Sequence, residues 1–193
     1  YFDLEAGAVL EHAGNTIWTP RVVSGVTTLD IKNQARFLNL PNGRFEIATN
    51  GTISGEGVLE NRGLLIKSAH PLTNALGVRL ESLGQLEVNG GRMRLSREGV
   101  LGGRVSIAEG AVLEVAARHE LTGEFNGGGT LQVSIGSNVL AGPLRGPRLF
   151  MSGGSLQLPP DLTLTNLVLA NSILRLTGDL RLTGESNQLT GLG

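Results

Sequence analysis

The chain contains no cysteine, which excludes a disulfide framework and any thiol chemistry. Aromatic residues make up only 4% of its 193 residues, with a single Trp at position 18, so stacked base platforms and large aromatic cores are poorly supplied. Acid is sparse in one form: Asp occurs only at 3, 30, 161 and 179. Lysine is sparser still, at 32 and 67, against 14 arginines. The net charge of -1 gives no global field for nucleic acid or an anionic membrane. No apolar run approaches the roughly 18 residues of a membrane span. No long segment repeats apolar residues at i, i+3, i+4 and i+7, so helix should be scarce. The first residue is Tyr1 and no signal peptide is visible, so we expect a piece of something longer or a processed form.

What the chain does have is glycine, 29 residues of it, and one device repeated almost end to end. Gly84-Gln85-Leu86-Glu87-Val88-Asn89-Gly90-Gly91-Arg92-Met93-Arg94-Leu95 shows it twice: a glycine or turn, then a short strand alternating apolar and polar. Gly43-Arg44-Phe45-Glu46-Ile47, Gly110 to Val115, Gly129 to Val133, Gly154 to Leu158, Ser172 to Leu176 and Gly178 to Leu182 are further copies. Side chains alternate between faces in a strand, so Leu86 and Val88 share one face and Glu87 takes the other. A strand of about five residues cannot bury its apolar face alone, and repeats at about 20 residues do so by stacking. Anchors at Phe45, Leu65, Leu86, Leu113, Leu131, Leu156 and Leu174 step by 20, 21, 27, 18, 25 and 18 residues. This uneven period predicts a solenoid with variable corner loops rather than a propeller, whose blades run about 40 to 45 residues.

The polar position between the apolar pair holds Glu46, Glu87, Arg94, Glu114, Gln132, Gln157, Arg175 and Arg181. It predicts one outward ladder, acidic toward the N-terminus and basic toward the C-terminus, on a solvated face. Asn50-Gly51 and Asn61-Arg62-Gly63 are expected to turn through left-handed conformations. Residues 136–147, with Pro143 and Pro147, are expected to bulge as a loop. Pro20 argues against a central strand there, and Trp18 and Phe37 read as core or cap residues. The whole chain, 1–193, reads as one domain, with a less regular part over 1–42 and the repeat region over 43–185. The ending Thr190-Gly191-Leu192-Gly193 lacks a polar cap, which predicts further coils or a partner beyond it.

Gly57-Val58-Leu59-Glu60-Asn61-Arg62-Gly63-Leu64-Leu65-Ile66-Lys67 resembles a glycine-x-apolar-x-Asn-x-glycine-x-Leu-x-Lys unit of repetitive bacterial exported and surface proteins. Gly84 to Leu95, Gly103 to Val115, Phe125 to Val133 and Leu162 to Leu180 resemble further units of it. The resemblance implies a parallel β-helix like those of autotransporter passengers and haemagglutinin-type adhesins, whose members are mostly stalks, adhesins or scaffolds. Some relatives of that fold are polysaccharide lyases or hydrolases, but none of their catalytic motifs is matched and no functional residue carries over.

The chemistry-bearing residues agree. His12, His70 and His119 lack metal-ligand spacing and read as surface or loop residues. Gly127-Gly128-Gly129-Thr130 lacks the Asp of a calcium-binding nonapeptide, and no phosphate loop or nucleophile elbow occurs. Glu87 and Glu114 would need adjacent coils to act as an acid pair. An ice-binding face would need outward Thr rows, and only Thr163 and Thr165 offer one. Leu164-x-x-Leu167-x-Leu169-x-Asn171 alone suggests a leucine-rich repeat. Arg92, Arg94, Arg97 and Arg104 form the densest basic group and are the candidate ligand-binding residues, guanidinium being suited to anions; Arg92 and Arg94 should point outward together around Met93.

The expectation is therefore an all-β, single-stranded parallel β-helix (a β-solenoid), right-handed, of about nine coils. It is a structural or adhesive segment of an exported bacterial surface protein, extracellular or on the cell surface, with no catalysis, cofactor or metal. Its partners are further solenoid repeats or other domains of the same chain, a glycan or a host or cell-surface protein, but not nucleic acid. The alternative is a carbohydrate-binding or carbohydrate-active β-helix with its site on corner loops such as 68–76 or 136–148.

Overall fold

A computed structural model of the chain describes residues 2–19 and 27–191. Among the described residues there is no helix, and every strand pairing is parallel. The backbone winds as a β-solenoid with three faces. The first face stacks Phe2–Leu4, Thr27–Ile31, the start of Gly51–Asn61, the start of Thr73–Ser82, Arg92–Leu95, Val112–Val115, Thr130–Val133, Arg148–Met151, Leu167–Ala170 and Gln188–Thr190. The second runs from Val9–His12 through Arg36–Asn39 and the ends of the two long strands to Gly99–Leu101, His119–Leu121, Ser137–Leu140, Ser155–Leu158 and Ile173–Leu176. The third runs from Asn15–Trp18 to Leu144–Arg145, and Leu162–Thr165 pairs with Leu180–Thr183 in a separate two-stranded sheet.

The uneven steps of the sequence pattern come from changing faces. Phe45, Leu65 and Leu86 are true register partners on the third face. Leu86 is followed there by Val105 and Phe125, not by Leu113. Leu113 and Leu131 pair on the first face, and Leu156 and Leu174 on the second. The supposed single outward ladder is likewise three. Glu46 and Glu87 lie on the third face, Arg94, Glu114 and Gln132 on the first, Gln157 and Arg175 on the second. Residues 136–147 do not bulge: Ser137–Leu140 and Leu144–Arg145 continue two of the ladders. Residues 2–19 and 27–42 supply strands to the same three faces. Pro20, Leu192 and Gly193 lie outside the described residues.

Inward residues form columns along the axis. Ile53, Leu76, Leu95, Val115, Val133 and Met151 succeed one another in register and are all sealed from solvent. Each such side chain contributes roughly 1.5–3 kcal/mol of burial. Toward the N-terminus the interior holds the aromatics: Trp18 stacks on Phe45 at 6.4 Å, and Phe37 meets Phe45 at 5.0 Å. One column begins with polar groups. His12 Nδ1 shares a hydrogen bond with Asn39 Oδ1 at 2.8 Å. Asn39 Nδ2 donates to Asn61 Oδ1 at 2.7 Å, and Asn61 Nδ2 donates to Ser82 Oγ at 3.0 Å. Leu101, Leu121 and Leu140 then take over the column. An interior amide whose partners lie on the neighbouring coils penalises any register slip.

The glycine at Gly63 serves close approach, not a left-handed turn: neither Asn61 nor Gly63 has positive φ, and nor do Asn50 and Gly51. Gly43, Gly63, Gly84, Gly103, Gly123 and Gly142 stack at one corner, where a Cβ on each of the last five would overlap the carbonyl oxygen of the glycine before it. The same corner repeats one hydrogen-bond pattern. The Asn61 carbonyl accepts from the Leu83 and Gly84 amides at 2.8 and 2.9 Å, and the Leu101 carbonyl from Thr122 and Gly123 at 3.0 and 2.8 Å.

Two buried side chains depart from expectation. His119 is not a surface residue: it points inward at 1% exposure, and burial lowers its pKa, keeping the imidazole neutral. Lys67 is fully buried between Ile47 and Val88, its Nζ donating to the His70 carbonyl at 2.9 Å. Burial pushes its pKa down as well.

Gly103→Ala is expected to cost about 3 kcal/mol or more in denaturant unfolding, because the obstacle is backbone. Gly14→Ala, with nothing near its Cβ, should stay within about 0.5 kcal/mol of the parent. For Lys67 the unfolded chain binds the proton more tightly, so stability should rise with pH up to about 10.4. Lys67→Met should flatten that rise, seen in urea melts at neutral and alkaline pH.

Candidate ligand-binding face

Arg92 and Arg94 project from Arg92–Leu95 on the first face while Met93 and Leu95 turn inward, as the alternation requires. Arg97 does not join them. It lies at the corner between Leu95 and Gly99. Arg104 is further off, on the third face in register with Gln85 and Glu124. The four arginines are thus split among two faces and a corner, and only Arg92 and Arg94 act together. Glu87 and Glu114 stand on different faces, so the candidate acid pair does not form.

Glu114 is the anchor of the first face. Its side chain is 5% exposed, yet it is an outward residue, walled in by its neighbours. Arg92 Nη1 approaches Glu114 Oε2 at 2.6 Å, Arg94 Nη1 approaches Oε1 at 3.6 Å, and Ser134 Oγ donates to Oε1 at 2.8 Å. Burial alone would raise the Glu114 pKa. The hydrogen bonds from Arg92 and Ser134 and the charges of both arginines outweigh it, and the carboxyl is held below its usual range. Arg92 Nη1 also donates to Gln132 Oε1 at 3.1 Å, and Gln132 Nε2 donates to Ser152 Oγ at 3.1 Å. A network spanning three strands of the first face and the residue after a fourth therefore fixes one guanidinium.

Register extends this site in a direction the local sequence hides. Arg92, Val112, Thr130 and Arg148 form one outward column, and Arg94, Glu114, Gln132 and Phe150 the column beside it. Between them lies a groove of about 290 Å³ lined by Arg92, Val112, Thr130, Gln132, Arg148 and Phe150. Arg148 has no acidic partner among the described residues. Around Arg92 in sequence there is no aromatic residue, but three coils on, Phe150 supplies one. Arg94, Glu114 and Gln132 are successive rungs of the outward ladder, as the sequence pattern has them, but Thr130, Arg148 and Phe150 escape a reading of the sequence because they are distant in the chain. The signal that finds them is one coil per step from Arg92, through Val112 and Thr130 to Arg148, over a repeat of uneven length. Chemically, the arrangement can hold an anion through guanidinium donors and pack an apolar ring face on Phe150. Among the described residues no group of three or more His, Cys, Asp or Glu is placed to hold a metal ion.

The pH dependence has a definite sign. A carboxyl whose pKa is lowered by folding contributes stability above its unfolded value of about 4.3, and loses it as pH falls through the folded value. Glu114→Gln is therefore expected to cost about 1–3 kcal/mol at pH 7, and the difference from the parent should close in melts run below the folded-state pKa. A gap that persists unchanged in acid would show that packing, not charge, is what Glu114 contributes.

No family model, no curated protein and no solved structure matches the chain.

Proposed function

We propose that the chain is a structural and adhesive segment of an exported bacterial surface protein, and that it performs no catalysis. The observation that carries this reading is the in-register stack itself. Apolar columns run through nearly the whole described length, with coils bonded to one another along two faces throughout and along the third as far as Leu144–Arg145, which suits a stiff rod that presents surface to a partner. The absence of cysteine fits an exported chain, as does the resemblance to adhesin repeats. Right-handed winding belongs to the same reading, being the sense that parallel crossover connections almost always take. Further solenoid repeats, other domains of the same chain, and a glycan or cell-surface protein are the partners it implies.

A carbohydrate-active site on the corner loops finds less support. The segment 136–148 is mostly folded into strands, and the loop before Thr73 spans only residues 68–72. A recognition surface would lie on a sheet face instead.

The test pairs adhesion with turnover. Beads coated with the folded chain are expected to be retained under flow on cell-surface glycans, and heat-unfolded chain should lose that retention. Incubation with a panel of polysaccharides should release no new reducing ends and no unsaturated sugars. Sustained release of either would overturn the reading, as would equal retention by folded and unfolded chain.

A further inference from the structure

We infer that the first-face groove binds an acidic oligosaccharide carrying carboxylates, a polyuronate, laid along the solenoid axis between Arg92 and Arg148. This names a ligand for the adhesive reading and rests on it only for its biological setting.

Three observations converge on that chemistry. The first is charge. Arg92 and Arg148 line the groove and Arg94 stands in the column beside it, against the single carboxylate of Glu114, which leaves an excess of positive charge there. Arg92 commits only Nη1 to Glu114 and Gln132. Its remaining N–H donors stay available, and they are held in place by that same network. A carboxylate is the planar acceptor that a guanidinium edge matches with two parallel hydrogen bonds.

The second is spacing. Arg92, Val112, Thr130 and Arg148 sit on successive coils in one register column. Neighbouring parallel strands stand about 4.8 Å apart, so the two arginines are rooted about 14 Å apart. One coil is close to the length of one pyranose unit. A linear uronate chain along the axis can therefore put successive sugars over successive coils, with a carboxylate near each arginine and the Thr130 hydroxyl between them.

The third is the aromatic. Phe150 faces outward and is half-buried beside Gln132. A sugar ring presents C–H groups on its faces, which pack on a phenyl ring. An inorganic anion would gain nothing from Phe150. A single-stranded nucleic acid could stack one base there, but among the described residues that line the groove there is no second ring for the next base.

The experiment is isothermal titration of the intact chain with a galacturonic acid hexamer at low and at physiological salt. The expected result is saturable binding that weakens as salt rises and is absent for the carboxyl-reduced, neutral hexamer. Arg148→Gln and Phe150→Ala should each weaken it by about tenfold or more. Arg181→Gln, on another face, should leave it unchanged, and all variants should melt like the parent. Absence of saturable binding overturns the proposal. So does binding that survives both Arg148→Gln and Phe150→Ala, or tighter binding of a six-nucleotide single strand. Retention of beads on cell-surface glycans without uronate binding refutes this site alone and leaves the adhesive reading standing.

Discussion

Every feature of this molecule depends on one constraint: each coil must lie a backbone hydrogen bond away from the coil before it, at the corners as well as along the strands. Along the strands the constraint is easy to meet, since parallel pairing sets the spacing. At corners a side chain gets in the way. The column from Gly43 to Gly142 removes that obstacle by removing Cβ, so the carbonyl of one glycine can sit where the next residue's side chain would be. Glycine also makes the unfolded chain more flexible, which opposes folding. The chain tolerates that because close approach at the corner is what lets the apolar columns close.

Once the coils are locked at one spacing, the interior and exterior follow different rules. Inside, side chains repeat along a column, so a residue is judged by its counterparts one coil away. Leucine over leucine is stable but carries little information about register. Asn39 and Asn61 carry more, because each amide is satisfied by groups on the neighbouring coils that a slip of register would move away. Their placement toward the N-terminal end, next to the Trp18, Phe37 and Phe45 cluster, puts the register-defining contacts beside the bulkiest packing. Outside, the same spacing turns residues scattered along the sequence into continuous rows.

That distinction explains what was legible in the sequence. Alternation and glycine turns mark strands, so the all-β parallel stack could be read from copies such as Gly84 to Val88. Which face a strand belongs to could not be read, because all three faces use the same alternation. Leu86 and Leu113 look equivalent in sequence and lie on different faces. The chain does turn at Asn61-Arg62-Gly63, but without the left-handed conformation those residues allow. Asn and Gly are turn formers locally, but here one is an interior rung and the other a point of contact between coils. His119 was misread because a histidine inside an apolar column leaves no local mark. Arg92 was identified with its outward direction correct. Glu114 and Gln132 are legible as rungs of the ladder that holds Arg94, but Arg148 and Phe150 are not, because they become its neighbours only through register.

The outer rows differ from the interior in how their charges are matched. Glu114 is an outward carboxylate that solvent hardly reaches, neutralised by Arg92 and Arg94. An ion pair of that kind on an open surface would contribute little. Here its value is positional: it fixes a guanidinium on a scaffold whose backbone cannot shift without breaking the ladders above and below. Arg148, by contrast, is left without an acidic neighbour on an otherwise well-matched face. A rod needing only solubility could have scattered its charges evenly. Instead one restrained and one unpaired arginine stand around Thr130 and Phe150 in a single groove, and the spacing of the coils sets the distance between them.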